Sequence, residues 1–157
     1  MMPETQERPQ EQRLSASTEV VGLSDFNPSE LAHVVSGAEL EHRRLPGGRP
    51  GMNVLHCRLP HSVINRGIYS PAVLVTGTFA SNAVTIGLML RQNEATILNG
   101  APVKMGTFQF YAERSEMCYR AWPDATWMTV VIGRERLLDF CVENLDERLP
   151  RCRPPAS

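Results

Sequence analysis

The sequence predicts a mainly β domain: an antiparallel barrel or sandwich of short strands, with a short helix before it and an amphipathic helix after it. Three observations carry that reading. Apolar and polar residues alternate, most cleanly where Val84, Ile86, Leu88 and Leu90 interleave with Thr85, Gly87, Met89 and Arg91. Gly, Pro, Asn and Asp break the middle of the chain at intervals of about ten residues, the spacing of all-β domains. At Arg134 the period changes, and Leu137, Leu138, Cys141, Val142 and Leu145 recur at helical spacing.

In chain order, residues 1–17 are rich in Glu, Gln, Arg, Pro and Ser and lack aromatics, so they are expected to form a disordered tail. Residues 18–149 form one domain. A short helix opens it: Asn27 is placed to cap, Pro28 fits the first helical position, Glu30 the third, and Gly37 the stop. Strands follow over 38–45, then a Pro46-Gly47-Gly48 turn, then 52–59, 63–69, 72–79 and 84–90. Residues 95–98 lead into Asn99-Gly100, the strongest short hairpin signal in the chain. Strands over 107–112, 116–122 and 126–132 complete the set, and the amphipathic helix begins at Arg134. Residues 150–157, with Pro150, Pro154 and Pro155, read as a tail or the start of a linker.

The 157 residues carry 16 Lys+Arg against 17 Asp+Glu, for a net charge of −1. That balance argues against the whole chain binding nucleic acid, which needs a positive surplus. No apolar run reaches the length of a membrane-spanning helix. The polar N-terminus reads as neither signal nor transit peptide, so a cytoplasmic location is expected. Cys57, Cys118 and Cys141 are expected to be small buried hydrophobes, and Cys152 a tail thiol.

Chemistry leaves few marks. His33, His42, His56 and His61 form no compact ligand pattern, and residues 83–132 hold no histidine, so neither a metal nor a cofactor is expected. There is no nucleophile elbow and no phosphate loop. A binding cavity is the better candidate. Phe108, Phe110, Tyr119, Trp122 and Trp127 lie on three consecutive strand segments, with Met89 and Arg91 on a nearby one. Together they form either a ligand pocket or a plain aromatic core.

The segment from Phe26 to Leu40 resembles the entry helix and first strand of the N-terminal domain of AraC/XylS-type transcription regulators, in the subgroup whose domain is a divergent cupin. Colinear matches follow at 98–103, at 108–117, and from Trp127 through Ile132 into Arg134-Glu135-Arg136-Leu137. The resemblance covers about 20–149 and implies a cupin-like antiparallel β-barrel, or jelly roll. It implies a sensor and dimerisation domain rather than an enzyme: a barrel that binds a small-molecule effector or contributes to a homodimer, whose subunits would share the stripe Leu137, Leu138, Cys141, Val142 and Leu145, the other available cover for that stripe being the chain's own barrel. In that family two helix-turn-helix units follow the domain. Nothing in 1–157 reads as a recognition helix, so DNA would be reached only through a further C-terminal domain. The competing readings are a small cupin-type enzyme acting on an organic substrate and a structural dimer without a ligand.

Overall fold

The computed structural model of the protein describes residues 16–24, 27–32 and 34–145, without the side chains of Pro28, Ser29, Asn144 and Leu145. Residues 1–15 and 146–157, with nearly all of both expected tails, lie outside the described residues. The elements are β1 (Ser17–Leu23), α1 (Pro28–Leu31), β2 (Ala38–Leu59), β3 (Ser62–Phe79), β4 (Ala83–Arg91), β5 (Thr96–Leu98), β6 (Ala101–Val103), β7 (Phe108–Tyr111), β8 (Glu116–Ala121), β9 (Ala125–Gly133) and α2 (Arg134–Leu145). Among the described residues the nine strands make one antiparallel sheet that curls into a half-barrel, followed by α2.

β3 is the hub. Its first half pairs with β9 from Ser62↔Ile132 to Tyr69↔Ala125, and its second half with β8 from Val73↔Ala121 to Thr78↔Glu116. β2 follows it along its whole length, and β1 lies beyond β2. β4 continues the sheet from β9, and β7 from β4.

Four expectations need correcting. β1 has no counterpart in the sequence reading, and it begins inside the expected tail. The Pro46-Gly47-Gly48 turn is not a turn: β2 runs through it, with register slips between Arg44 and Gly48 and between Gly48 and Met52. Gly47, Gly48 and Gly51 have φ of 114°, 75° and 124°, values that side-chain-bearing residues rarely adopt, so the bulges that bend this strand gather there. Similarly, 63–69 and 72–79 are one strand, whose Pro71 lies opposite Gly48 at the irregularity, where a missing N–H is tolerated. The helix expected to run to Gly37 is reduced to the single turn α1, where Asn27 O accepts from the amides of Glu30 and Leu31 at 3.2 and 3.1 Å. Packing of Leu31, Val34 and Val35 into the core outweighs the cap signals beyond that turn.

The Asn99-Gly100 hairpin forms as expected, with φ of 48° and 83° at its two central residues. Asn99 also ties the hairpin to β8: its Oδ1 accepts from Cys118 N at 2.7 Å.

Strand alternation sorts the residues into an unusual arrangement. On the outer face two rows cross six strands: Phe110, Ile86, Val130, Ile64, Cys57, Thr18, and Phe108, Leu88, Met128, Arg66, Leu55, Val20. Only Thr18 and Arg66 in these rows are polar. Between them, on the inner face, runs Gln109, Gly87, Thr129, Asn65, His56, Glu19. Inside the curl, therefore, one row is polar, while the next (Met89, Trp127, Gly67, Val54, Val21) is apolar. The inward residues of β4 are Ala83, Thr85, Gly87 and Met89, so its regular apolar set faces outward.

Trp127 is seated over Gly67, its register partner on β3, and a Cβ at Gly67 would overlap the indole. Gly67→Ala is expected to cost about 1–3 kcal/mol by overpacking, and Trp127→Ala roughly 3–5 kcal/mol by leaving a cavity. Because one contact produces both effects, the double variant should lose clearly less than the sum in urea unfolding. Strict additivity would show that the ring does not rest on that strand.

Candidate functional site

The curl holds a cavity of about 50 Å³, lined by residues of six strands and of the segment after α1. That volume has room for several water-sized groups, on the scale where one water needs roughly 10–15 Å³. Tyr69 comes from β3, Met89 from β4, Gln109 and Tyr111 from β7, Met117 and Tyr119 from β8, and Trp127 and Thr129 from β9. Val35, Leu40 and Phe79 close the apolar end.

The aromatic residues form a connected wall. Tyr69 lies with its ring centroid 5.8 Å from Trp127 and 6.4 Å from Tyr119, and Phe79 stacks on Tyr111 at 4.3 Å. Such tilted and offset pairs suit the ring quadrupoles. Gly87 is a second strand glycine with a stated reason: a Cβ there would meet the Tyr111 ring at 2.8 Å.

Two buried polar clusters lie on the same strands. His42 Nε2 and Tyr69 Oη share a hydrogen bond of 3.1 Å. His56 Nδ1 donates to Asn65 Oδ1 at 2.8 Å, while Asn65 Nδ2 donates to Thr129 Oγ1 at 3.0 Å and to Ser36 O at 3.3 Å. Asn65 thus closes a network spanning β2, β3, β9 and the segment before β2.

Two donors in the wall stay unused. Trp127 Nε1 and Tyr119 Oη are buried without a hydrogen-bond partner, although their residues are only 7% and 9% exposed. Trp127 lies beside Tyr69, and Tyr119 beside Thr96, but neither contact has hydrogen-bond geometry. A buried polar group left unpaired costs roughly 1–3 kcal/mol, which a guest accepting that hydrogen bond would recover. Burial raises the Tyr69 and Tyr119 hydroxyls well above their ordinary range, and Tyr111 to about 12. All three stay protonated at neutral pH. Among the described residues no carboxylate, lysine, arginine or histidine lines the cavity. The lining offers aromatic faces, thioethers and neutral hydrogen-bonding groups.

Of the residues expected at the pocket, Met89, Tyr119 and Trp127 meet at the cavity. Phe108 and Phe110 do not: they are 64% and 73% exposed on the outer face, because Gln109 and Tyr111 are the inward residues of β7. Arg91 is exposed at the end of β4, past a register slip after Met89. Trp122 lies beyond β8, half-buried beneath Arg120, whose guanidinium carbon is 4.7 Å from the ring centroid. The residues that sequence reasoning missed, above all Tyr69, Gln109 and Tyr111, were signalled only by Gly67 and Gly87. A glycine inside a strand marks close approach.

The helical stripe is divided. Leu137 and Cys141 are half-buried, Leu138 and Val142 are 54% and 70% exposed, and the Leu145 side chain lies outside the described residues. Phe140, outside the expected stripe, is 52% exposed. The cysteines also differ from expectation. Cys118 is exposed, because Met117 and Tyr119 are the inward residues of β8, and Cys57 and Cys141 are half-buried. His33 and Cys152 lie outside the described residues. Among the described residues no three of His, Cys, Asp or Glu converge on a point that could hold a metal ion. No helix there is long and apolar enough to cross a membrane.

His42 gives the fold a pH dependence. Burial depresses its imidazole to about 4, against a smaller opposing effect of the Leu40 backbone. In the unfolded chain the ring titrates near its ordinary 6.5, so between these values the unfolded state binds more protons. The stability this neutral ring contributes is complete above pH 6.5 and is lost as pH falls through 4, by about 3 kcal/mol at most. Urea melts across that window should show the slope, and His42→Phe should flatten it. An unchanged slope in the variant would assign the dependence elsewhere.

Comparison with known proteins gives the fold its relatives. No protein-family profile matches the chain, and no curated protein does. Among solved structures, the AraC-like transcriptional activator CuxR is similar over 80% of this chain and 51% of its own, with a TM-score of 0.55 and 14% identity. This chain therefore spans about half the length of that activator. An RmlC-like cupin from Shewanella frigidimarina matches at a TM-score of 0.43 and 9% identity, over 63% of this chain and 89% of that one. A predicted oxalate decarboxylase from Thermotoga maritima matches at 0.43 and 19% identity, over 60% and 94%. At 14% identity the match to CuxR is a likeness of fold, that of a curled antiparallel sheet.

Proposed function

We propose that this chain is the effector-sensing regulatory domain of an AraC-type transcription regulator, acting as a homodimer on a DNA-binding module not contained in residues 1–157. The observation that carries the reading is the cavity with two unused donors, Trp127 Nε1 and Tyr119 Oη, in an aromatic wall whose described residues include no acid or base. Such a site recognises a molecule and leaves it unchanged. The likeness to CuxR, which spans four-fifths of this chain, supports the same reading. The effector class that fits is a small, uncharged compound with a hydrogen-bond acceptor and a flat or apolar face. α2 follows β9 without a loop, so the strand that bears Trp127 leads directly into the helix that would carry the response.

The test is a thermal-shift screen with small neutral polar compounds, followed by calorimetry on the hits. A true effector at a hundred times its dissociation constant adds about 2.7 kcal/mol to stability. Trp127→Phe and Tyr119→Phe each remove one donor, and each should weaken binding by about 5- to 150-fold, the equivalent of roughly 1–3 kcal/mol, while the fold survives. The rival reading, a small cupin-type enzyme, predicts that a bound compound is converted on incubation. Recovery of the compound intact by mass spectrometry supports the sensor, and a new product would replace it with the enzyme.

A further inference from the structure

On the inner face Gly87 stands between Gln109 and Thr129, its register partners on β7 and β9. With no side chain there, the polar row has a gap two strand spacings, or about 10 Å, wide. Two polar atoms converge on that gap: Gln109 Oε1 lies 3.3 Å, and Tyr111 Oη 3.4 Å, from the point a Cβ on Gly87 would take. Gly87, Gln109 and Tyr111 all line the cavity. We propose that the gap is the specificity subsite of the cavity and takes the edge of a small neutral carboxamide, its N–H on Gln109 Oε1 and its carbonyl on Tyr111 Oη. The inference rests on the effector-binding reading above and narrows it, because that reading asks the guest only for an acceptor.

The orientation of the Gln109 amide is fixed by its neighbours. Its Nε2 donates to Thr107 O at 2.6 Å and to Thr107 Oγ1 at 3.2 Å. A carbonyl oxygen only accepts, so the amide nitrogen must face Thr107, and Oε1 is left as an acceptor on the side of Gly87. Tyr111 is held from its far face, where Phe79 stacks on the ring at 4.3 Å. Burial raises its hydroxyl to about 12, so it keeps a proton to donate at neutral pH. Among the described residues neither Gln109 Oε1 nor Tyr111 Oη has a hydrogen-bond partner. An acceptor and a donor side by side match the edge of an amide, which presents its N–H beside its C=O.

Other small molecules fit less well. A ketone leaves the Gln109 acceptor unpaired. A carboxylate would set its charge against that same oxygen, with no lysine, arginine or histidine among the described lining residues to balance it. A polyol carries a hydroxyl on each carbon, and those beyond the gap would face Met89, Met117 and Leu40, which offer no strong hydrogen-bond partner. The cavity of about 50 Å³ holds roughly three to five water-sized groups, the scale of a short-chain amide.

The experiment is an NMR titration of the full chain with propionamide, butan-2-one and butan-2-ol, which share one size and shape. The chain has two indoles, and of these only Trp127 lines the cavity, so its N–H signal reports binding while that of Trp122 serves as the control. Dividing the affinity for propionamide by that for butan-2-one isolates the amide N–H. Gln109→Leu should lower this ratio about tenfold, the equivalent of one hydrogen bond. Gln109→Met, which keeps the length of the side chain, is the second variant and should do the same. Tyr111→Phe should weaken both compounds alike and leave the ratio unchanged. Three results would overturn the proposal: a ratio that survives both Gln109 variants, butan-2-ol binding as tightly as propionamide, or a Trp127 signal that propionamide does not move. A screening hit that binds without needing Gln109 would remove this inference and leave the sensor reading standing, whereas a screen without hits would remove the sensor reading itself.

Discussion

The indole of Trp127 resting on Gly67 is the contact on which the interior depends. β3 and β9 must be in register there for the ring to find a residue without a Cβ. Seated in that gap, the indole sets the position of Tyr69 5.8 Å away, and Tyr69 in turn reaches both His42 and the Tyr119 side of the wall. A slip of one residue between these strands would put Trp127 outside and Met128 in its place. The cavity, the His42 hydrogen bond and the aromatic wall are therefore consequences of one register.

The Asn65 network secures that register from the neighbouring row. A buried amide with three partners on separate segments tolerates no other alignment of β2, β3 and β9, because any slip leaves it unpaired. Apolar contacts would be more forgiving, since the outer rows offer Ile64, Val130 and Ile86 in almost interchangeable places. The polar interior supplies specificity to a sheet whose hydrophobic pattern alone would not fix which face turns inward.

That ambiguity explains what the sequence reveals and what it hides. The alternation of Val84 to Arg91, the Asn99-Gly100 hairpin and the helix after Arg134 are local signals, and each is found where it was read. The phase of the strands is not local. Both faces of β4 carry large apolar residues, so hydrophobicity could not tell Met89 from Leu88, and the same difficulty turned Phe108 and Phe110 out of the pocket. β1 is seven residues with only Val20, Val21 and Leu23 as large apolar residues, too few to separate it from the polar stretch before it. The corner in β2 reads as a turn because Pro and Gly serve both purposes, and only pairing with β3 across Pro71 distinguishes them. Tyr69 escaped notice for the same reason: its role comes from partners fifty and more residues away.

The placement of β3 also sets the order in which the chain can fold as it is made. β2 and β3 are joined by a two-residue turn at Pro60-His61, so they can pair at once. The other partners of β3 arrive late: β8 starts at Glu116 and β9 ends at Gly133, well after β3 ends at Phe79. At about 5–20 residues per second of synthesis, the free edge of β3 stands open for roughly 3–10 s. During that interval a long strand, with Val73 and Val75 destined for the core, offers its backbone to any passing edge. For this protein, slow steps and misassembly during biosynthesis are expected to concentrate on one strand whose edges the finished sheet pairs along nearly their whole length.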